Sequence, residues 1–117
     1  MSATEQLNEQ CLEAWQEYAE SADATELAET EVALSVAAKS FPNAFTAADL
    51  AKALGKSVEY AKNVLETRKD PISDGWLGGL FEGCYQLSVY GRALVSQSGE
   101  FGGNVPEISE QEAEDWL

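Results

Sequence analysis

The sequence predicts a mainly α domain of the α+β class, with one small β-hairpin in its C-terminal half. Three observations predict it. Apolar residues recur at helical spacing through the first two thirds of the 117 residues. Helix-start signatures, a Ser or Thr followed three residues later by Glu or Asp, occur at Ser2, Thr46 and Ser109. Strand-like alternation is confined to "CYQLSV", which follows the glycine-rich "GWLGGLFEG". With 44% hydrophobic residues the chain can bury a core as one compact domain.

The first element, "SATEQLNEQCLEAWQEYAES", opens with Ser2 and Glu5, each able to satisfy an orphan backbone donor. Leu7, Cys11, Ala14 and Tyr18 then share one helical face, widened by Trp15. A second helix, "ELAETEVALSVAAKSF", carries Leu27, Leu34 and Phe41 in heptad register, thickened by Val32, Val36 and Ala37, and stops at the proline of "PNAF". "TAADLAKALG" runs from the Thr46–Asp49 box to Gly55, the residue best suited to a left-handed C-terminal position. "KSVEYAKNVLETR" follows at once, with Ser57 as its cap. Two short helices about a glycine turn form a helix-turn-helix, with Leu50, Ala51 and Leu54 expected against Val58, Ala61 and Leu65.

Asp-Pro and Asp-Gly signal turns beyond this unit, and a hairpin is expected from about Gly75 to Val89. Gly91 to Gln97 then reads as a closing helix. The end of the chain begins as a flexible stretch and finishes in a short acidic helix started by Ser109 and Glu112. Ile108 and Ala113 take the staple positions around that cap, and Trp116 is expected to dock.

Charge divides the chain. Residues 1 to 31 hold nine acidic side chains and no basic one, and residues 100 to 117 hold six acidic and no basic. All seven Lys and Arg lie between, beside six acids, and the net charge is −14. Glu5, Glu9, Glu13 and Glu17 recur every four residues along one side of the first helix, where like charges cost about 0.2 to 0.5 kcal/mol per pair. Such a stripe is either a solvated face or a surface for a basic partner.

Several function classes are excluded or weakened by composition. There is no histidine, no phosphate-cradling glycine loop after a strand and no metal-ligand spacing, and "DPISDG" does not match a calcium loop. An enzyme, a metal site and a cofactor are therefore not expected. Cys11 and Cys84 lie far apart without a CxxC spacing and read as reduced, buried thiols. No run approaches the roughly 18 apolar residues of a membrane span, and the N-terminal stretch lacks the basic and apolar parts of a secretory signal. A soluble, cytoplasmic protein without membrane contact is the expectation.

From about residue 29 to residue 96 the chain resembles the winged helix-turn-helix regulators of the MarR and ArsR type. "FTAADLAKALGKSVEYAKNVLE" resembles their helix-turn-helix, "GCYQLSV" their second wing strand, and "YGRALV" the segment opening the helix after the wing. The organisation that follows is an acidic N-terminal helix over 1–24, a winged helix-turn-helix over 25–98 and an acidic tail over 99–117. The resemblance implies binding to double-stranded DNA. Its reading helix would bring Lys56, Tyr60, Lys62, Asn63, Thr67, Arg68 and Lys69 to the duplex. The first helix would serve as a homodimer contact.

Two features depart from that pattern. Glu59 and Glu66 lie within pairing distance of Lys62 along the helix. The expected wing offers Trp76, Leu77, Leu80 and Phe81 but no Lys or Arg, so it lacks the counterion-releasing contacts that give duplex affinity. The leading expectation is a small winged-helix transcription regulator. The alternative is an acidic winged-helix protein that binds a basic protein surface through Glu5, Glu9, Glu13, Glu17, Trp76, Phe81 and Trp116. In its boldest form that alternative is a DNA mimic or a phage-encoded inhibitor of a nucleic-acid-binding complex. Adaptation to high salt would also explain acidity, but not its confinement to the two ends.

Overall fold

The computed structural model describes residues 2–69, 77–81 and 84–117. It is mainly helical with a small antiparallel sheet, an α+β fold with six α-helices among the described residues. In chain order these are α1 (Ala3–Ser21), α2 (Ala24–Ser40), β1 (Phe45–Thr46), α3 (Ala47–Leu54), α4 (Val58–Lys69), β2 (Leu77–Phe81), β3 (Cys84–Leu87), α5 (Val89–Gln97) and α6 (Glu110–Trp116). A single 3₁₀ turn, Gly99–Phe101, links the last two helices.

Local chemistry accounts for where these helices begin. The hydroxyls of Ser2, Thr46, Ser57, Ser88 and Ser109 each accept a backbone N–H three residues on, as does the Asp23 carboxylate. At Thr46 and Ser109 the box is reciprocal, because Asp49 and Glu112 accept the N–H of the capping residue in return. Gly55 closes α3 at φ 68°, a left-handed conformation that a side chain would strain. Because Ser88 is a cap, α5 starts at Val89 rather than Gly91, and Val89 belongs to this helix and not to the hairpin.

The strand order is β1–β3–β2, all antiparallel. β1 is only two residues long and pairs Phe45 with Tyr85 and Thr46 with Cys84. Phe45 and Tyr85 also touch ring to ring at 6.1 Å. Register between β2 and β3 shifts after Gly79, where Phe81 rather than Leu80 pairs with Cys84. The tip of the expected wing, Trp76 included, lies outside the described residues, as does the side chain of Phe81.

A single apolar cluster runs through the fold. It joins Leu7 and Cys11 of α1, Ala33, Leu34, Ala37 and Ala38 of α2, Leu50 of α3, Ala61 and Leu65 of α4, Leu94 of α5, Phe101, and Ile108 and Ala113 at the end. The α1 face expected for a second copy of the chain is thus covered from within, since α1 packs on α5 and α6. Trp15 sets its ring edge-on to Phe101, and Tyr18 bonds Thr30 on α2 at 2.7 Å.

The last twenty residues differ from the expected flexible start. Phe101 is buried, the Ser35 hydroxyl on α2 donates to its carbonyl, and Gly103 crosses α2 so closely that an added Cβ would lie 2.4 Å from the Ala38 carbonyl oxygen. α6 docks through the buried Ile108 and Ala113, while Trp116 stays 37% exposed. Its Glu110 carboxylate accepts the backbone N–H groups of Ala3 and Thr4 and the Thr4 hydroxyl, capping α1 across more than a hundred residues. Glu112 meets the Arg92 guanidinium, which in turn lies 5.3 Å over the Phe41 ring.

Neither cysteine is in a disulfide. Cys11 is fully buried, and burial pushes its thiol up to about 12, which leaves it protonated and inert. Cys84 is only half-buried.

Candidate interaction surface around helix α4

Helix α4 buries Ala61, Val64 and Leu65. Val58, expected inward, is 48% exposed instead. It occupies the first helical position, past the end of α3, whose last residue Leu54 is itself only half-buried. Exchanging Val58 for Val64 in the inward set turns the helix by about 40°, at 100° per residue. Glu59, Asn63 and Glu66 then occupy the middle of the outward side. Tyr60 and Thr67 swing toward α2.

That rotation decides the surroundings of the expected reading residues. Tyr60, Asn63 and Thr67 line a cleft of about 370 Å³ together with Asp23, Thr25, Glu26, Glu29 and Val64. The Tyr60 hydroxyl donates to the Glu29 carboxylate. Thr67 turns its hydroxyl back to the carbonyls of Asn63 and Val64, a local bond that helical threonines make readily. Glu66 accepts from the Tyr85 hydroxyl at 2.9 Å. Burial first, then the Glu66 carboxylate, raises the Tyr85 phenol above its ordinary value, so Tyr85 remains a donor across the neutral range.

The basic candidates are placed less uniformly. Lys56 and Lys62 are exposed, and the Lys56 ammonium lies 5.6 Å over the Tyr60 ring. Arg68 and Lys69 end α4, but their side chains fall outside the description. The structure thus brings Lys56, Tyr60, Asn63 and Thr67 to one region and surrounds it with carboxylates that the sequence reading did not single out. Asp23 caps α2, and Glu26 and Glu29 sit in its first two turns. Their spacing signals only an acidic helix start, and nothing local tells that α4 lies against them.

The other candidate set is separate. Glu5, Glu9, Glu13 and Glu17 are all exposed on α1, about 6 Å apart along its axis. α1 packs with α5 and α6, whereas α4 packs with α3, β2 and α2. Trp116 borders a small hollow of about 210 Å³ with Val89, Glu112 and Asp115. Among the described residues no group of three or more His, Cys, Asp or Glu side chains could hold a metal ion, and no helix is long and apolar enough to cross a membrane. No known protein family, curated protein or solved structure matches this chain.

Proposed function

We propose that this protein acts by binding a basic surface of another protein, on a scaffold organised like a winged helix, with no catalytic step of its own. The scaffold part of this reading rests on the motifs of residues 29–96. The binding part rests on one observation: Asp23, Glu26 and Glu29 line a cleft together with Tyr60, Asn63 and Thr67, the α4 residues that a DNA reader would turn to the duplex. Duplex affinity comes mainly from basic groups that displace counterions from phosphates, and three carboxylates at that place repel phosphates. The same carboxylates attract Lys and Arg. A partner's nucleic-acid-binding face is one basic surface that fits this description.

Titration with short random duplexes and with arginine-rich peptides, each at low and moderate salt, tests the reading. Peptides are expected to bind with an association rate that falls as salt rises, and duplexes are expected not to bind. Duplex binding at low salt with no peptide binding would overturn it.

One observation favours the transcription-regulator reading. The α1 glutamates belong to a packing group apart from α4, so they do not themselves cover the expected reading helix. In that case Arg68→Ala with Lys69→Ala should weaken duplex binding and reduce its salt slope by about one for each lost phosphate contact.

A further inference from the structure

The segment after α5 changes character at two glycines. Phe101 is buried and held to α2, where the Ser35 hydroxyl donates to its carbonyl at 3.0 Å. Gly102 and Gly103 follow with φ 75° and 76°, and Gly102 has ψ −165°, a backbone region open to little but glycine. Asn104, Pro106 and Glu107 are then exposed, and Val105 between them is half-buried. Beyond this stretch the chain is anchored again, by Ile108, Ala113 and the carboxylates of Glu110 and Glu112. The seat on which α6 rests belongs to α1 and α5.

We infer that residues 104–117 form an exchangeable arm through which the chain joins a second copy of itself: the hinge at Gly102 and Gly103 opens, and each arm seats its α6 on the α1 and α5 of the other copy. Three features select this occupant. The seat already fits the arm, so a second copy re-forms the same contacts: Glu110 on Ala3 and Thr4, Glu112 on Arg92, and Ile108 and Ala113 in the core. The six residues from Gly102 to Glu107 span about 20 Å when extended, enough to reach a body lying against the first. The closed hinge needs positive φ at two consecutive residues, whereas an extended hinge does not, so the balance between closed and exchanged forms is set at the hinge and not at the interface.

An arm that opens alone exposes Ile108 and Ala113 to water, and docking on a second copy covers them again. The inference is independent of what the acidic cleft binds. An exchanged dimer carries two copies of that cleft, and so holds a partner with two basic sites through both.

Sedimentation equilibrium on the full chain tests this through Gly102→Ala. A Cβ there meets only the far end of the Lys39 side chain, at 3.4 Å, so the change strains the closed hinge and leaves the seat as it is. The wild-type chain is expected to be mainly monomeric at about 10 μM and to show dimer by about 1 mM. Because the dimer holds two opened hinges, Gly102→Ala is expected to raise the association constant by at least about tenfold. Charge exchange identifies which surfaces meet. Arg92→Glu and Glu112→Arg each set like charges against one another within a single chain. Mixed, the two variants regain both opposite pairs only when each arm lies on the other's body, so the mixture should dimerise at least about tenfold more strongly than either variant alone. Circular dichroism melts establish that each variant is folded. Should a charge variant not fold, Gly102→Ala with and without Ile108→Asp decides, since an arm lacking its buried isoleucine should no longer join a second copy. A wild-type chain still monomeric at about 1 mM, a monomeric Gly102→Ala, a mixture no stronger than its components, or a dimer that persists with Ile108→Asp overturns the inference.

Discussion

The α3–α4 pair and the terminal pair α1 and α6 are closed by different means. Between α3 and α4 everything is local: the Thr46–Asp49 box starts the first helix, Gly55 ends it and Ser57 starts the next, all within twelve residues. Between α1 and α6 the decisive bonds span the chain. Glu110 caps the first turn of α1, and Glu112 joins α6 to Arg92 on α5. The acidic ends are therefore not merely surplus charge, because some of their carboxylates tie one end of the fold to the other. A count of charges along the sequence cannot separate these structural acids from the ones left to face a partner.

Breaking the terminal pair should have the largest effect. Ending the chain after Gly103 removes the buried Ile108 and Ala113 and the partner of Arg92, and should cost about 3 to 5 kcal/mol by urea denaturation. Native-state amide exchange on the shortened chain should then show α1 opening before α3 and α4. Loss of protection in all four helices together would erase the contrast.

Within the local pair, Leu65→Ala truncates a fully buried side chain and should cost about 2 to 5 kcal/mol. Leu54→Ala should cost only about 1 to 2 kcal/mol, because that side chain borders an open hollow rather than a closed core. Val58→Ala should stay within about 0.5 kcal/mol. Equal losses at Leu54 and Leu65 would place α4 back in the register with Val58 inward.

Thiol chemistry reads the same contrast without mutation. Cys84 should react with a disulfide reagent in the folded protein, while Cys11 should react only as fast as α1 opens. Shortening the chain after Gly103 should speed the Cys11 phase by at least tenfold.

The smallest effect concerns acid. Glu110 is held below the usual carboxylate value, first by the Ala3 N–H and then by the Thr4 hydroxyl, and Glu112 first by the Arg92 guanidinium. Their folded values are lowered, so the stability they contribute is complete above the unfolded Glu value and is lost as pH falls through the folded values. The melting temperature should fall below about pH 4.5. Glu110→Gln should flatten that decline and speed exchange at Ala3 and Thr4.

Legibility in the sequence followed the range of the interactions. The caps at Ser2, Thr46 and Ser109, the glycine turn and the two-helix unit were readable because each is written within a few residues; the reciprocal bond of the box forms at Thr46 and Ser109, while at Ser2 the described bond is the hydroxyl's alone. β1 was not readable, since a two-residue strand exists only through its pairing with Tyr85 and Cys84. The docking of α6 was legible in the staple positions Ile108 and Ala113, both of which are buried, while Trp116, the conspicuous aromatic, is 37% exposed. At the candidate surface the outward place of Asn63 on α4 was legible, whereas Tyr60 and Thr67 turn toward α2. Their neighbours Asp23, Glu26 and Glu29 were not legible, because the rotation of α4 depends on whether Val58 or Val64 is buried, and both are valines at plausible helical spacing.

The Glu110 cap on α1 also bears on the order of assembly during synthesis. α1 leaves the ribosome well before α6 exists, so its first backbone donors meet water until α6 has been made. Closing so long a loop carries an entropic cost that α3 and α4, joined by a three-residue turn, do not meet. The α3–α4 pair can form while the chain is still growing, and α1 and α6 join after it. A nascent chain released short of Glu110 would expose the Leu7 and Cys11 face, which is the surface a chaperone or protease would find first.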